Sequence, residues 1–238
     1  MTWKQATMQG GGFIAGLLQN PNDPNIMYAR SDVAGVFKSL NRGKSWFAIN
    51  HGMTDCHQHD IQSFTISPHN PDVLFRCSGS VRGGQFFGTI HKTISAGEYW
   101  YPVCTKADFY GNGETRQYGD VIQVSPHDPA IVVAGAYTSG VWVSADGGEL
   151  WENRGLEKER ISCVAFHPVL TETIFIGTIG SYDKNPKFVA QQYDFIRPNP
   201  ARLYRSDDLG RTWQVLHEGL DFAEIVFDSA RPEVCLLY

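Results

Sequence analysis

Apolar residues along this chain come in short runs rather than in long periodic stretches. "GFIAGLL" (12–18), "NIMYAR" (25–30), "GVFKS" (35–39) and "SWFAI" (45–49) are rich in aromatic and aliphatic side chains and are bounded by Gly, Pro, Asn, Asp or Ser. Such runs read as strands joined by turns. No segment carries a convincing 3.6-residue apolar period, so the pattern predicts an all-β chain. The set of four then recurs. "NPNDPNIMY" from Asn20 is echoed by "SPHNPDVLF" from Ser67, "SPHDPAIVV" from Ser125 and "HPVLTETIF" from His167, with a degenerate fifth copy, "DSARPEVCLL", from Asp228. Proline fixes φ and removes a donor, which places these segments in the turn between strands one and two. Successive copies begin roughly 40–60 residues apart, the period of four-stranded propeller blades.

A second repeated turn joins strands three and four. "SLNRGKSW" (39–46), "TISAGEYW" (93–100), "SADGGELW" (144–151) and "SDDLGRTW" (206–213) all fit S/T-x-D-x-G-x-x-W, with Asn41 and Ser95 in the place of the acid in two copies. The acid is expected to accept backbone N–H bonds across the hairpin, and the glycine to supply a positive φ. The tryptophan opens strand four and is expected to pack between blades. Ser206, Asp208, Gly210 and Trp213 therefore read as structural, as do Trp46, Trp100 and Trp151. Four of the six tryptophans are then unavailable as sugar platforms.

The architecture expected is an all-β propeller of four-stranded blades with an incomplete ring. Four complete blades cover about 11–50, 60–104, 119–154 and 160–217, and a partial fifth covers 222–238, in one domain or part of one. Known propellers have about four to eight blades, so the chain reads as the N-terminal part of a larger propeller protein. Four blades plus a closing strand is the shorter alternative.

Chain direction alternates, so both repeated turns lie on one face and every irregular connection lies on the other. "RSDVAG" (30–35), "NHGMTDCHQHD" (50–60), "SGSVRGGQFFG" (78–88), "CTKADFYGNGETRQYGD" (104–120) and "GSYDKNPKFVAQQYDFIRPNPA" (180–201) fall on this loop face. Long polar loops on a repetitive scaffold are where binding and catalysis concentrate.

Composition narrows the partners. The net charge of −5, with no basic block, argues against nucleic acid. No apolar run approaches the roughly 20 residues of a membrane helix. The start, "MTWKQATMQGGGF", has no apolar h-region; as given the chain reads as cytoplasmic, or as secreted if this start is not the native one. Five cysteines without C-x-x-C spacing read as mostly buried thiols. No G-x-S-x-G element and no Walker-type loop occurs, and no cofactor is expected.

The eight-residue turn resembles the Asp-box of BNR-repeat propellers, found in sialidases, sortilin-type receptors and several glycoside hydrolases. "WKQATMQGGGFIAGLLQNPNDPNIMYARSDVAGVFK" is similar to the first blade of the xyloglucan-degrading enzymes of glycoside hydrolase family 74, with its glycine-rich strand, N-P-x-x-P turn and Y-A-R-T-D-V-G-G segment. "NGETRQYGDVIQVSPHDP" is similar to the family's third blade. Ala34 stands where the family has the first glycine of its G-G pair.

The resemblance implies a carbohydrate-active propeller acting on a β-glucan such as xyloglucan by inversion, with an aspartate from each of two face-to-face propellers. By the R-[TS]-D motif, Asp32 is the candidate general base, and the acid would come from a second propeller domain or chain. A non-catalytic glycan- or protein-binding propeller of the sortilin type is the alternative. A sialidase is disfavoured, since no F/Y-R-I-P motif is present.

Each candidate residue allows a second role. Asp32 follows a strand and precedes "VAGVF", so it could instead cap a tight turn. Arg30, Arg116, Asp120 and Glu114 lie on the loop face and could bond sugar hydroxyls or simply be solvated. Phe109, Tyr110 and Tyr118 could stack a pyranose ring or pack the loop. "CHQHD" (56–60) would place His57 and His59 on one side of an extended strand, as sugar contacts or, with Cys56, Asp60 or His51, as metal ligands. Catalytic zinc needs three protein ligands in fixed geometry, and no metal is expected.

Overall fold

The computed structural model describes residues 7–8, 11–180, 200–228 and 230–237. The expected loop at 180–201 therefore lies largely outside the described residues. The first antiparallel unit is β2 (Ile14–Gln19), β3 (Met27–Ser31), β4 (Gly35–Ser39) and β5 (Ser45–Ala48). A short strand, β1 (Thr7–Met8), pairs in parallel with β5 through Thr7↔Ser45. Two residues carry too little alternation for that strand to be anticipated. The second unit is β6 (Ile61–Ile66), β7 (Leu74–Arg82), β8 (Gln85–Thr93) and β9 (Tyr101–Cys104). The third is β10 (Ile122–Val124), β11 (Val132–Gly135), β12 (Val141–Ser144) and β13 (Glu152–Asn153). The fourth is β14 (Arg160–Phe166), β15 (Ile174–Ile179), β16 (Arg202–Ser206) and β17 (Gln214–Glu218), and β18 (Ile225–Phe227) pairs with β19 (Cys235–Leu237). The sheets follow one another in chain order and do not close into a ring.

One expected loop is a hairpin. Residues 78–88 continue β7 and β8, which stay paired out to Val81↔Phe86 and Arg82↔Gln85. Gly83 and Gly84, both at positive φ, make the two-residue turn. A Gly-Gly pair between alternating strands is a hairpin signal.

Packing is between neighbouring sheets. Tyr28, Ile49, Phe64, Leu74 and Trp100 fill the interface of the first two units. Phe75, Ile90, Ile122 and Val132 fill the next, and Val133, Ile161, Ile176 and Tyr204 the one after. Val132 and Val133 thus face opposite neighbours, as strand alternation requires. That is why "IVVAGA" (131–136) reads as a continuous apolar run.

The four repeated turns share one geometry. Ser206 Oγ donates to Asp208 Oδ1 at 2.8 Å and accepts from Gly210 N at 2.7 Å, while Asp208 Oδ1 accepts from Thr212 N at 2.8 Å. Ser144, Asp146 and Gly148 repeat the pattern, as do Ser39, Asn41 and Gly43. The residue before each glycine (Arg42, Ala96, Gly147, Leu209) is also at positive φ. In the worn copy only Thr93 holds the glycine N–H, at 3.3 Å. Trp100 and Trp213 send their indole N–H to carbonyls of the preceding sheet, Ile49 and Arg154, at 2.8 and 2.7 Å. Trp46 and Trp151 bond within their own turns.

Candidate functional site

Asp32 sits just past β3, buried at 6% exposure. The tight turn it opens is capped by its neighbour: Ser31 Oγ accepts from Ala34 N at 3.2 Å and from Val33 N at 3.4 Å. The Asp32 carboxylate reaches sideways instead, and its Oδ1 accepts the Phe13 N–H at 2.7 Å. The Asp32 N–H donates back to the Phe13 carbonyl at 3.0 Å. Oδ2 lies 3.7 Å from Arg116 Nε. Arg116 is itself held, since its Nη1 donates to the Gly113 carbonyl at 3.1 Å and its guanidinium lies over the Phe13 ring.

Arg30 links this group to Asp120. Its Nη1 donates to the Arg116 carbonyl at 3.1 Å. Burial lowers its pKa and the nearby Asp120 carboxylate raises it. Asp120 accepts from Ser63 Oγ at 3.1 Å. Burial pushes its pKa up; Arg30 and the Ser63 bond pull it down, and Glu224 adds like charge. Arg30, Tyr118, Asp120 and Glu224 line a cleft of about 170 Å³ floored by Gly16 and Phe64. A Cβ at Gly16 would fall 2.6 Å from Arg30 Nε, so any other residue there would displace the guanidinium. The structure therefore brings Arg30 and Asp32 of the first sheet and its turn together with Arg116, Tyr118 and Asp120 of the loop between β9 and β10.

The remaining candidates go elsewhere. Residues 56–59 form a 3-10 turn rather than an extended strand, because Asp55 caps it by accepting the His57 N–H at 3.0 Å. His57 and His59 consequently diverge. The His57 ring bonds Ser80 Oγ, stacks on Phe87 at 4.7 Å and lines a separate cleft with Ser78, Phe86 and Asp108. Burial, then the Arg76 charge, lowers the His59 pKa. Tyr110 packs edge-on to Phe86 and Tyr137. Phe109 is fully buried and cannot meet a sugar. Glu114 is exposed, as a solvated loop acid would be, and it also ion-pairs with Arg160 and accepts from Tyr137 Oη at 2.8 Å. Side-chain donors of Asp55, Cys56 and His57 lie within 4.8 Å of one another and could hold a metal, but Arg82 Nη2 stands 2.7 Å from Cys56 Sγ.

Asp60, named above only as a possible metal ligand, joins the site as an acid. Burial, then the charge of Asp32, raises its pKa to about 6, against the opposing charge of Arg82. A second carboxyl that senses Asp32 is what acid–base chemistry needs, and only folding brings the two together. In sequence Asp60 is simply the last residue of a histidine-rich loop.

No family model matches the chain. The chain is 25% identical over 228 residues to a xyloglucanase from a Paenibacillus species, covering 89% of this chain and 22% of that protein. It is 23% identical over 220 residues to an oligoxyloglucan-reducing end-specific xyloglucanase of Emericella nidulans, covering 88% of this chain and 24% of the relative. It superposes on the crystal structure of the GH74 xyloglucanase from Xanthomonas campestris with a TM-score of 0.75 at 21% identity, over 99% of this chain and 36% of that one. The Niastella koreensis GH74 enzyme gives a TM-score of 0.73 at 21% identity, over 95% and 33%. The fold is a family 74-like propeller. The chain spans about a quarter or less of the length of these curated relatives, 22% and 24%.

Proposed function

We propose that this propeller is part of a xyloglucanase-like glycoside hydrolase and that Asp32 is its general base. One observation carries the reading: a buried carboxylate, fixed on one oxygen by the Phe13 N–H and flanked on the other by Arg116, in a chain whose similar proteins are xyloglucanases. In an inverting reaction such a carboxylate takes a proton from the attacking water while an acid about 6.5–9.5 Å away protonates the leaving oxygen. Arg30, Arg116, Tyr118 and Asp120 would hold sugar hydroxyls beside it, and the acid would come from a second propeller. Asp60 favours a second reading, in which the acid lies in this same chain.

A reducing-sugar assay on xyloglucan and mixed-linkage glucan separates the two. Under the first reading the 238-residue chain binds oligosaccharide weakly and turns over nothing, and joining it to an acid-bearing propeller produces activity that Asp32→Asn removes. Turnover by the chain alone, lost in both Asp32→Asn and Asp60→Asn, would establish the second. Activity indifferent to Asp32→Asn sinks both.

A further inference from the structure

Between the first two sheets lies a positive charge with no counter-charge among the described residues. Arg76, in the middle of β7, is fully buried on the face turned toward the first unit, and its cross-strand neighbour His91 on β8 is fully buried beside it. The Arg76 Nη1 group donates to the Gln58 carbonyl at 2.6 Å and touches Met53 Sδ at 3.3 Å, and the guanidinium lies over the Trp100 ring at 5.0 Å. Among the described residues its Nε and Nη2 have no hydrogen-bond partner, and the His91 ring nitrogens have none of full geometry, their one backbone contact being Thr89. The neighbouring Thr89 carbonyl accepts from Ser78 Oγ. Burial lowers the Arg76 pKa to about 9, so it remains a cation at neutral pH. The one acidic group acting on it is the Cys77 thiol, which burial holds far above its ordinary pKa and therefore neutral. His91 is neutral as well, pushed down to about 2 by burial and then by Arg76.

A buried charge is tolerated when it is paired and its protons are satisfied. The unpartnered buried groups in this interface are the Arg76 Nε–H and Nη2–H, the His91 imidazole and the Tyr28 hydroxyl, and the walls Trp100, Met53 and Phe64 offer no strong acceptor. We propose that Arg76 and His91 bind a small monovalent inorganic anion, a halide such as chloride, in the interface between the first two sheets. The donors are Arg76 Nε–H and Nη2–H and the single N–H of neutral His91. An enclosed, largely apolar setting suits one weakly hydrated, singly charged atom better than a phosphate or sulfate, whose extra charge and oxygens would find no partners. The site is independent of Asp32 and makes no use of the proposed hydrolysis.

Melting temperature measured at constant ionic strength, with gluconate replaced stepwise by chloride, tests this on the chain itself. A ligand that binds only the folded state stabilises it in proportion to the logarithm of its concentration above Kd. The wild type should gain about 2–4 °C or more as the site fills, with bromide substituting for chloride. Arg76→Met, which replaces the charge by an apolar side chain of similar reach, should fold and melt at a temperature indifferent to the anion. An equal response in wild type and Arg76→Met, or no response in the wild type, overturns the proposal and leaves water as the partner of Arg76. Should Arg76→Met not fold, bromide-soaked crystals of the wild type decide: an anomalous peak between Arg76 and His91 supports the site, and its absence refutes it.

Discussion

The two faces of this propeller use the same side chain in opposite ways. On the turn face, Asp146 is exposed and Asp208 partly so, and both spend their carboxylates on backbone N–H and hydroxyl groups of their own hairpins, which lowers both pKa values, that of Asp208 to about 2. On the loop face, Asp60 and Asp120 are drawn into the protein, and burial raises their pKa values. A carboxylate surrounded by N–H and O–H donors is locked as an anion. One that is desolvated beside other acids keeps an affinity for protons, which is the property acid–base chemistry uses. Repetition thus marks where the acids hold the scaffold, and irregularity marks where they remain chemically available.

The largest effect should come from Asp32→Asn. In an active assembly containing this chain it should lower turnover by about 10²–10⁴-fold while oligosaccharide binding, read by calorimetry, stays in place. The amide still accepts from Phe13 but cannot take a proton from water. Next is Trp100→Ala, on the turn side of the second sheet. It removes a fully buried indole and its bond to Ile49, and should cost about 3–5 kcal/mol in a urea titration. If it instead altered binding at unchanged stability, the assignment of the two faces would be wrong.

The third concerns the sign of the pH dependence. Asp60 has a folded pKa of about 6, above its unfolded value near 3.9. It therefore favours the fold below about pH 4, and that contribution is lost as pH rises through 6. Asp60→Asn should raise stability at pH 7 by on the order of 1 kcal/mol, after allowance for its partial exposure to solvent, and the gain should vanish at pH 4. A loss of stability at pH 7 would mean that Asp60 is paired rather than strained. The smallest effect is expected at Asp208, where the shift runs the other way. Its contribution is present above about pH 4 and fades as pH falls through about 2. Asp208→Ala should lower the melting temperature at pH 7 and leave ligand binding by the folded protein intact.

Strand runs, turn chemistry and blade period were legible because each is local. The S/T-x-D-x-G-x-x-W turn closes within eight residues, and in both copies that carry the acid the serine bonds the acid and the glycine N–H. Two local signals were read wrongly. The Gly83–Gly84 pair makes a hairpin of an expected loop. Asp55 caps residues 56–59 into a helical turn, which scatters two histidines that an extended strand would have aligned.

Residue order alone therefore determined that the chain is all-β, where its turns fall and which acids belong to them, because those bonds form between near neighbours. It also singled out Asp32, through a motif. What surrounds Asp32 was decided by the tertiary structure. Phe13, which holds one oxygen, lies 19 residues earlier. Arg116, which flanks the other, is tied to Arg30 across 86 positions, and Asp60 enters from another sheet. Packing of sheet on sheet sets those distances, and the burial it creates raises the proton affinities of Asp60 and Asp120. Neither quantity exists until the blades have packed.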